Sequence, residues 1–264
     1  MMDHSCGSGG RRRNANQVVN EIQTKRQAMT HRVLLNNVEH KDLKIMLGRG
    51  IRFGDGETIC PTFPAEFRNV LAHYPIVLRE TGNEQRYEPV ALFGFVEGEN
   101  LFASADAWDA LYVPIAVARQ PFSMGLYGDD LLVHVDLDHP KVSTTIGHSL
   151  FLEYGGQSEL LEQVNSLLLA LHQGLQSNAG FVAALLEHDL IEPFTLDIEL
   201  NNGSQNQLLG FATINEEKLA ALDAAALARL HRHGYLMAAH LMAASLVQLR
   251  ELIERKNQRL AIDG

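Results

Sequence analysis

The string "HVDLDHP" (His134 to Pro140) sets a histidine and two aspartates at alternate positions. An H-x-D pair completed by a distant histidine is the ligand set with which non-haem iron(II) oxygenases hold their metal, leaving coordination positions open for oxygen and substrate. His134 and Asp136 are therefore the candidate metal ligands. If the segment is a strand, Asp138 shares their face, while Leu131, Val133, Val135 and Leu137 occupy the opposite one. A half-buried strand with no metal shows the same alternation. The distant histidine would be His148, His172, His188 or His231, and nothing in the sequence distinguishes them.

A second group lies in "WDALYVPIAVARQPF" (Trp108 to Phe122), which holds the only tryptophan of the chain. Arg119 ends an apolar run there, and a guanidinium suits a carboxylate or phosphate through two parallel hydrogen bonds. Arg119, Tyr112 and Trp108 are thus the candidate ligand-binding residues. The competing reading makes the segment a structural corner in which Arg119 pairs with Asp109. In that corner a helix capped by Ser104 or Asp106 runs through Tyr112, and Pro114 opens a second helix. Trp108, Leu111, Tyr112 and Ile115 then face the core, and Gln120, extended before Pro121, launches a strand.

Other chemistry lacks its pattern. "GRGIRFGDG" (Gly48 to Gly56) is glycine-rich and basic but matches neither the P-loop nor the dinucleotide fingerprint, so it reads as a loop, with anion binding through Arg49 and Arg52 the minor alternative. There is no G-x-S-x-G elbow. Cys60 reads as a small buried hydrophobe, and Cys6 and Cys60 are too far apart in sequence to anchor a zinc site. "HRHG" (His231 to Gly234) reads as a helix end with a glycine cap. No cofactor is implied.

The net charge of −10 is unevenly spread. Residues 1–30 carry five basic and two acidic side chains, and the remainder carries 17 basic against 30 acidic. An acidic body repels nucleic acid and anionic lipid, and three consecutive arginines fall short of a nucleic-acid arm. Residues 1–30 therefore read as a disordered, solvated basic tail before one domain over 31–264. The start lacks the apolar core of a signal peptide, and Tyr235 to Leu249 is too short for a membrane span, so a cytoplasmic protein without membrane insertion is expected.

Positioning these residues falls to short strands first and helices later. "RVLLNN" and "YPIVLRE" read as strands, with a brief helix in "TFPAEFRNVLAH" between them. Three hairpins are signalled by glycine beside turn residues: residues 87–104 across Gly98, 121–137 across "YGDD", and 193–214 across Asn202–Gly203. Ser158 caps a helix with Leu161, Val164, Leu168, Leu171 and Leu175 on one stripe, and Ser177 or Asn178 restarts another. Residues 215–234 give one or two short helices. A long amphipathic helix follows Gly234, with Tyr235, Ala239, Met242, Leu246, Leu249 and Ile253 packing on the protein's own sheet. The expected class is α+β: a mostly antiparallel sheet built of hairpins, covered by helices from the C-terminal half.

"PVALFGFVEGENLF" (Pro89 to Phe102), followed by Trp108, Tyr112, Val113, Pro114, Arg119, Pro121 and Phe122 at their spacing, resembles the SapC-like family of bacterial proteins. The likeness continues through "FLEYGGQSELLEQV", "LIEPFTLDIEL", "LLGFATINEEKL" and the final "GYL" segment. It implies an association with bacterial surface layers and a genomic neighbourhood of outer-membrane receptors and flavin-dependent halogenase-like proteins. It supplies no catalytic residues. Residues and resemblance together lead to a non-catalytic binding or accessory protein, linked to a surface-layer or nutrient-uptake system, with an unknown protein or small molecule as partner. A homo-oligomer through the C-terminal helix is a further expectation. The alternative is a metal-dependent oxygenase, or another enzyme acting on a small metabolite, that uses His134 and Asp136.

Overall fold

The computed structural model describes residues 31–82, 86–128 and 130–263. The expected basic tail, residues 1–30, lies outside them. In chain order the strands are β1 (Arg32–Leu34), β2 (Lys44–Ile45), β3 (Ile59–Pro61), β4 (Ile76–Glu80), β5 (Tyr87–Leu92), β6 (Phe122–Tyr127), β7 (Asp130–Asp136), β8 (Val142–Ser143), β9 (His148–Ser149), β10 (Ile191–Glu199) and β11 (Gln205–Ile214). The helices are α1 (Phe67–Val70), α2 (Ile115–Ala118), α3 (Glu159–Glu187), α4 (Glu216–Ala220), α5 (Ala224–Arg232), α6 (Tyr235–Ser245) and α7 (Gln248–Asp263).

The strands form three sheets with the orders β10-β11-β4-β5-β3, β1-β7-β6 and β8-β2-β9, antiparallel throughout. The fold is α+β, as the run of hairpins followed by helices implied. The five-stranded sheet is centred on β4 and β5, whose successive residues Ile76, Val77, Leu78 and Val90, Ala91, Leu92 are fully buried. A strand covered on both faces loses the polar alternation of a half-exposed one. α6 lays Ala238, Ala239 and Met242 into this core, with Leu249 and Leu252 of α7 beside them. A second, smaller core joins Phe122 of β6 and Val135 of β7 to Leu43, Ile45, Leu150 and the first turns of α3.

α3 ties the two cores together. Ser158 caps it by accepting from the Leu161 N–H at 3.3 Å. Leu161, Val164 and Leu168 serve the smaller core, and Leu171, Phe181, Val182 and Leu185 the larger. The predicted restart at Ser177 or Asn178 does not occur, and the helix runs unbroken for 29 residues. Both polar side chains find partners without breaking it: Ser177 Oγ donates to the Gly174 carbonyl, and Asn178 Nδ2 donates to the Thr62 carbonyl at 2.9 Å. Gly180 leaves room for the Tyr235 hydroxyl of α6.

Two hairpins match their signals: β6–β7, and β10–β11 across Asn202–Gly203. The one proposed across Gly98 is replaced. β5 pairs with β4 and β3, and just beyond its end the Leu101 N–H donates to the Phe93 carbonyl at 2.8 Å. Gly98 does turn the chain, at φ 79°. The earlier "YPIVLRE" run is the better partner because its apolar Ile76, Val77 and Leu78 pair with Ala91, Val90 and Pro89, so joining the strands buries the apolar half of both.

The long helix after Gly234 is two helices, α6 and α7, parted at Leu246–Val247. An 18-residue window within Tyr235 to Ile262 has the length and hydropathy of a bilayer span, more than the sequence reading allowed. Here Ala238, Ala239, Met242, Leu249 and Leu252 pack into the larger core, while Met237 and Val247 face solvent. Ser245 Oγ accepts the Ile76 N–H at 2.8 Å and donates to the Met242 carbonyl at 2.6 Å, stitching the end of α6 to the start of β4.

Candidate functional site

The corner begins with tyrosines and a buried carboxylate. Trp108 Nε1 donates to the Tyr74 hydroxyl at 2.8 Å, and that hydroxyl donates to the Tyr112 carbonyl at 2.5 Å. The Tyr112 hydroxyl donates to Glu66 Oε1 at 2.8 Å, which also accepts the Ile115 N–H at 2.7 Å. Glu66 Oε2 accepts from the Thr62 hydroxyl at 2.8 Å. Glu66 is buried, so its charge is met by three neutral donors instead of by bulk water. Burial first, and in Tyr112 the neighbouring Glu66 charge, push both tyrosine hydroxyls above their ordinary range, so they remain donors.

Around this chain Tyr74, Phe93, Phe102 and Trp108 meet edge to face, with centroids 4.7 to 6.4 Å apart. The predicted helix over Ser104 to Tyr112 is absent. Ser104 Oγ instead accepts the Ala107 N–H at 3.1 Å, and Ala103 bridges to Trp108. Without a helix, Leu111 does not share the face of Trp108 and Tyr112 and is 97% exposed. Pro114 does precede a helix, the short α2, and the Gln120–Pro121 bond is cis immediately before β6.

Arg119 does not pair with Asp109. Its guanidinium donates to the Phe122 carbonyl, and Asp109 instead receives Arg255 of α7 at 2.7 Å. Without the intervening helix, Asp109 is carried to the surface beside α7, away from the end of α2. Burial, then the nearby charge of Arg32, lower the Arg119 pKa from its ordinary value.

Next to Arg119 is a cluster that sequence reasoning missed. Asp55, fully buried, accepts Lys141 Nζ and Arg49 Nη1 at 3.4 Å each and the Gly50 N–H at 2.8 Å. Arg49 also donates to the Val117 and Ala118 carbonyls at 3.3 Å, closing the C-terminal end of α2. Arg52 pairs with Asp106 at the surface. The glycine-rich loop thus spends both arginines on the protein itself. Burial, reinforced by Arg49, lowers Lys141 to about 8. Burial, then Lys141, lowers His139 to about 4, leaving a neutral ring whose Nδ1 accepts the Lys141 N–H at 3.2 Å. Asp55 and Lys141 lie 86 residues apart, and no local spacing could have announced them.

On β7 the alternation holds: Val133, Val135 and Leu137 serve the smaller core, and His134 and Asp136 lie on the other face. The His134 ring lies over Gly125 of the paired strand, where an added Cβ would come within 2.9 Å of it. Its Nδ1 lies 3.3 Å from the Leu132 carbonyl, and Asp136 accepts the Asp138 N–H at 3.2 Å. Among the described residues no three His, Cys, Asp or Glu are grouped to hold a metal ion, so His148, His172, His188 and His231 bring no third ligand to this pair. Cys60 is buried, and burial raises its thiol well above the ordinary range, which suits a small hydrophobe and not a nucleophile.

With the corner, the charged junction and the hairpins placed, comparison with family models finds a match to SapC over residues 35–252. The chain belongs to the SapC family. No curated protein and no solved structure matches it. The match spans the corner, Asp55, Lys141 and the apolar part of α7, and it ends at Leu252, the last buried residue of that helix.

Proposed function

We propose that this SapC-family chain is a non-catalytic binding or accessory protein that docks a protein partner belonging to a bacterial surface-layer or nutrient-uptake system, and that it acts in the cytoplasm. The observation that carries the reading is where apolar side chains face solvent. Leu126 and Tyr127 at the end of β6, Ile146 between β8 and β9, and Leu152 and Tyr154 before α3 are each more than half exposed, Tyr154 at 95%. All belong to the elements around the smaller core. Solvent-facing apolar side chains supplied by several elements of one core favour protein contact over small-molecule chemistry. The corner supports the same reading, since Trp108 donates to Tyr74 and Tyr112 donates to Glu66, so these polar atoms are met within the protein.

The test compares tagged wild-type protein with a Leu152→Ser/Tyr154→Ser variant in a crosslinking pull-down from the native host. A partner from the envelope or uptake machinery, recovered by the wild type and lost with the variant, is the expected result. Recovery of nothing by either protein, or equal recovery by both, overturns the reading.

A further inference from the structure

α7 changes its mode of attachment partway along. Up to Leu252 it is held by buried apolar side chains, Leu249 and Leu252. From Ile253 onward no described side chain is buried, and polar side chains reach to the rest of the protein. Arg255 reaches Asp109 at 2.7 Å and lies over the Phe102 ring at 4.5 Å. Lys256 pairs with Glu99. Arg259 donates to the Asn100 and Ala103 carbonyls at 3.0 Å each, and the Asn257 side chain accepts the Asn201 N–H at 2.9 Å. Three successive basic side chains thus grip one segment, Glu99 to Asp109. That segment carries Phe102 and Trp108 of the aromatic cluster.

We propose that residues 253–263 form a charge-held strap that keeps the aromatic corner closed and that ionic strength releases. The physics is one of unequal screening. The apolar anchor at Leu249 and Leu252 is indifferent to salt, whereas the Debye length shrinks from about 10 Å at 0.1 M to about 3 Å at 1 M. The Arg255–Asp109 pair is open to that screening, because the aspartate side chain is 82% exposed. Release uncovers one face of the Phe102 ring and frees the Asn100 and Ala103 carbonyls. It also loosens Trp108, which bridges to Ala103. The inference stands apart from the protein-docking reading, whose residues lie around the other core.

Trp108, the only tryptophan, reports the event directly. In the full-length protein, raising NaCl from 0.05 to 1 M is expected to increase acrylamide quenching of its fluorescence about twofold. Amide exchange over 253–263 should quicken at least tenfold while that of α3 stays constant. Lys256→Glu is expected to produce the open signature already at 0.05 M, and Glu99→Lys/Lys256→Glu to restore closure, which a merely misfolded variant would not do. Quenching and exchange that ignore salt in the wild type overturn the strap, as does acceleration of α3 in parallel.

Discussion

Buried charge is where single residues matter most in this protein. Among the described residues Glu66 holds three donors and no cation, so Glu66→Ala leaves a tyrosine hydroxyl, a backbone N–H and a threonine hydroxyl without their acceptor. The expected loss in chemical denaturation is about 2–3 kcal/mol. Glu66→Gln keeps an acceptor oxygen and removes a buried charge, so its loss should be less than half as large; an equal loss would contradict the neutral-donor account. Asp55→Ala strands Lys141 beside Arg49 and is expected to cost about 3–5 kcal/mol. His139 titrates in the folded protein at about 4, below its ordinary 6.5. As pH falls through that window the unfolded chain takes up a proton that the folded protein refuses, so stability declines between about 6.5 and 4 and levels off below. For a half-buried group the decline amounts to about 1–2 kcal/mol, and His139→Gln, scanned by thermal melting against pH, should flatten it.

Elements are joined here by a few polar stitches across apolar faces. Ser245 is fully buried, and its hydroxyl is the acceptor for the first amide of β4. Ser245→Ala should therefore destabilise by about 1–3 kcal/mol through an orphaned backbone N–H, with amide exchange at Ile76 rising more than at Leu78. Equal exchange at both positions would show that the stitch does not matter. α3 demonstrates why local signals lose to packing. Ser177 and Asn178 are good caps in isolation, yet a helix that must reach two cores gains more from continuity than from a new start. The failed Gly98 hairpin has the same origin. A turn signal says where the chain reverses and not which strand it will meet, and β5 met β4.

For the whole molecule, the oxygenase alternative rests on two residues that share a strand face. Purified protein analysed by elemental mass spectrometry should carry no stoichiometric iron or zinc, and His134→Ala should change stability by under about 1 kcal/mol, as an exposed-face substitution does. Stoichiometric metal lost with that substitution would promote the enzyme reading over the accessory one. Fractionation of native cells tests the compartment: protein in the soluble cytoplasmic fraction is expected, and protein on the cell surface would turn the chain into a structural surface-layer component instead.

The strands-then-helices order, two of the three hairpins, the alternating faces of β7, the cap at Ser158 and the SapC kinship were legible in the linear chain, because each depends on residue spacing within one element or on a motif kept in order. The charged junction and the tyrosine–glutamate chain were not. Asp55 meets Lys141, and Glu66 meets Tyr112, only after separate segments have been folded against each other. The partner of Arg119 was misread for the same reason: Asp109 is close in sequence, but without the expected helix it turns outward to Arg255, 146 residues away. Hydrophobic periodicity is local information, whereas the pairing of buried charges is settled by which surfaces lose their water together, and that is decided in three dimensions.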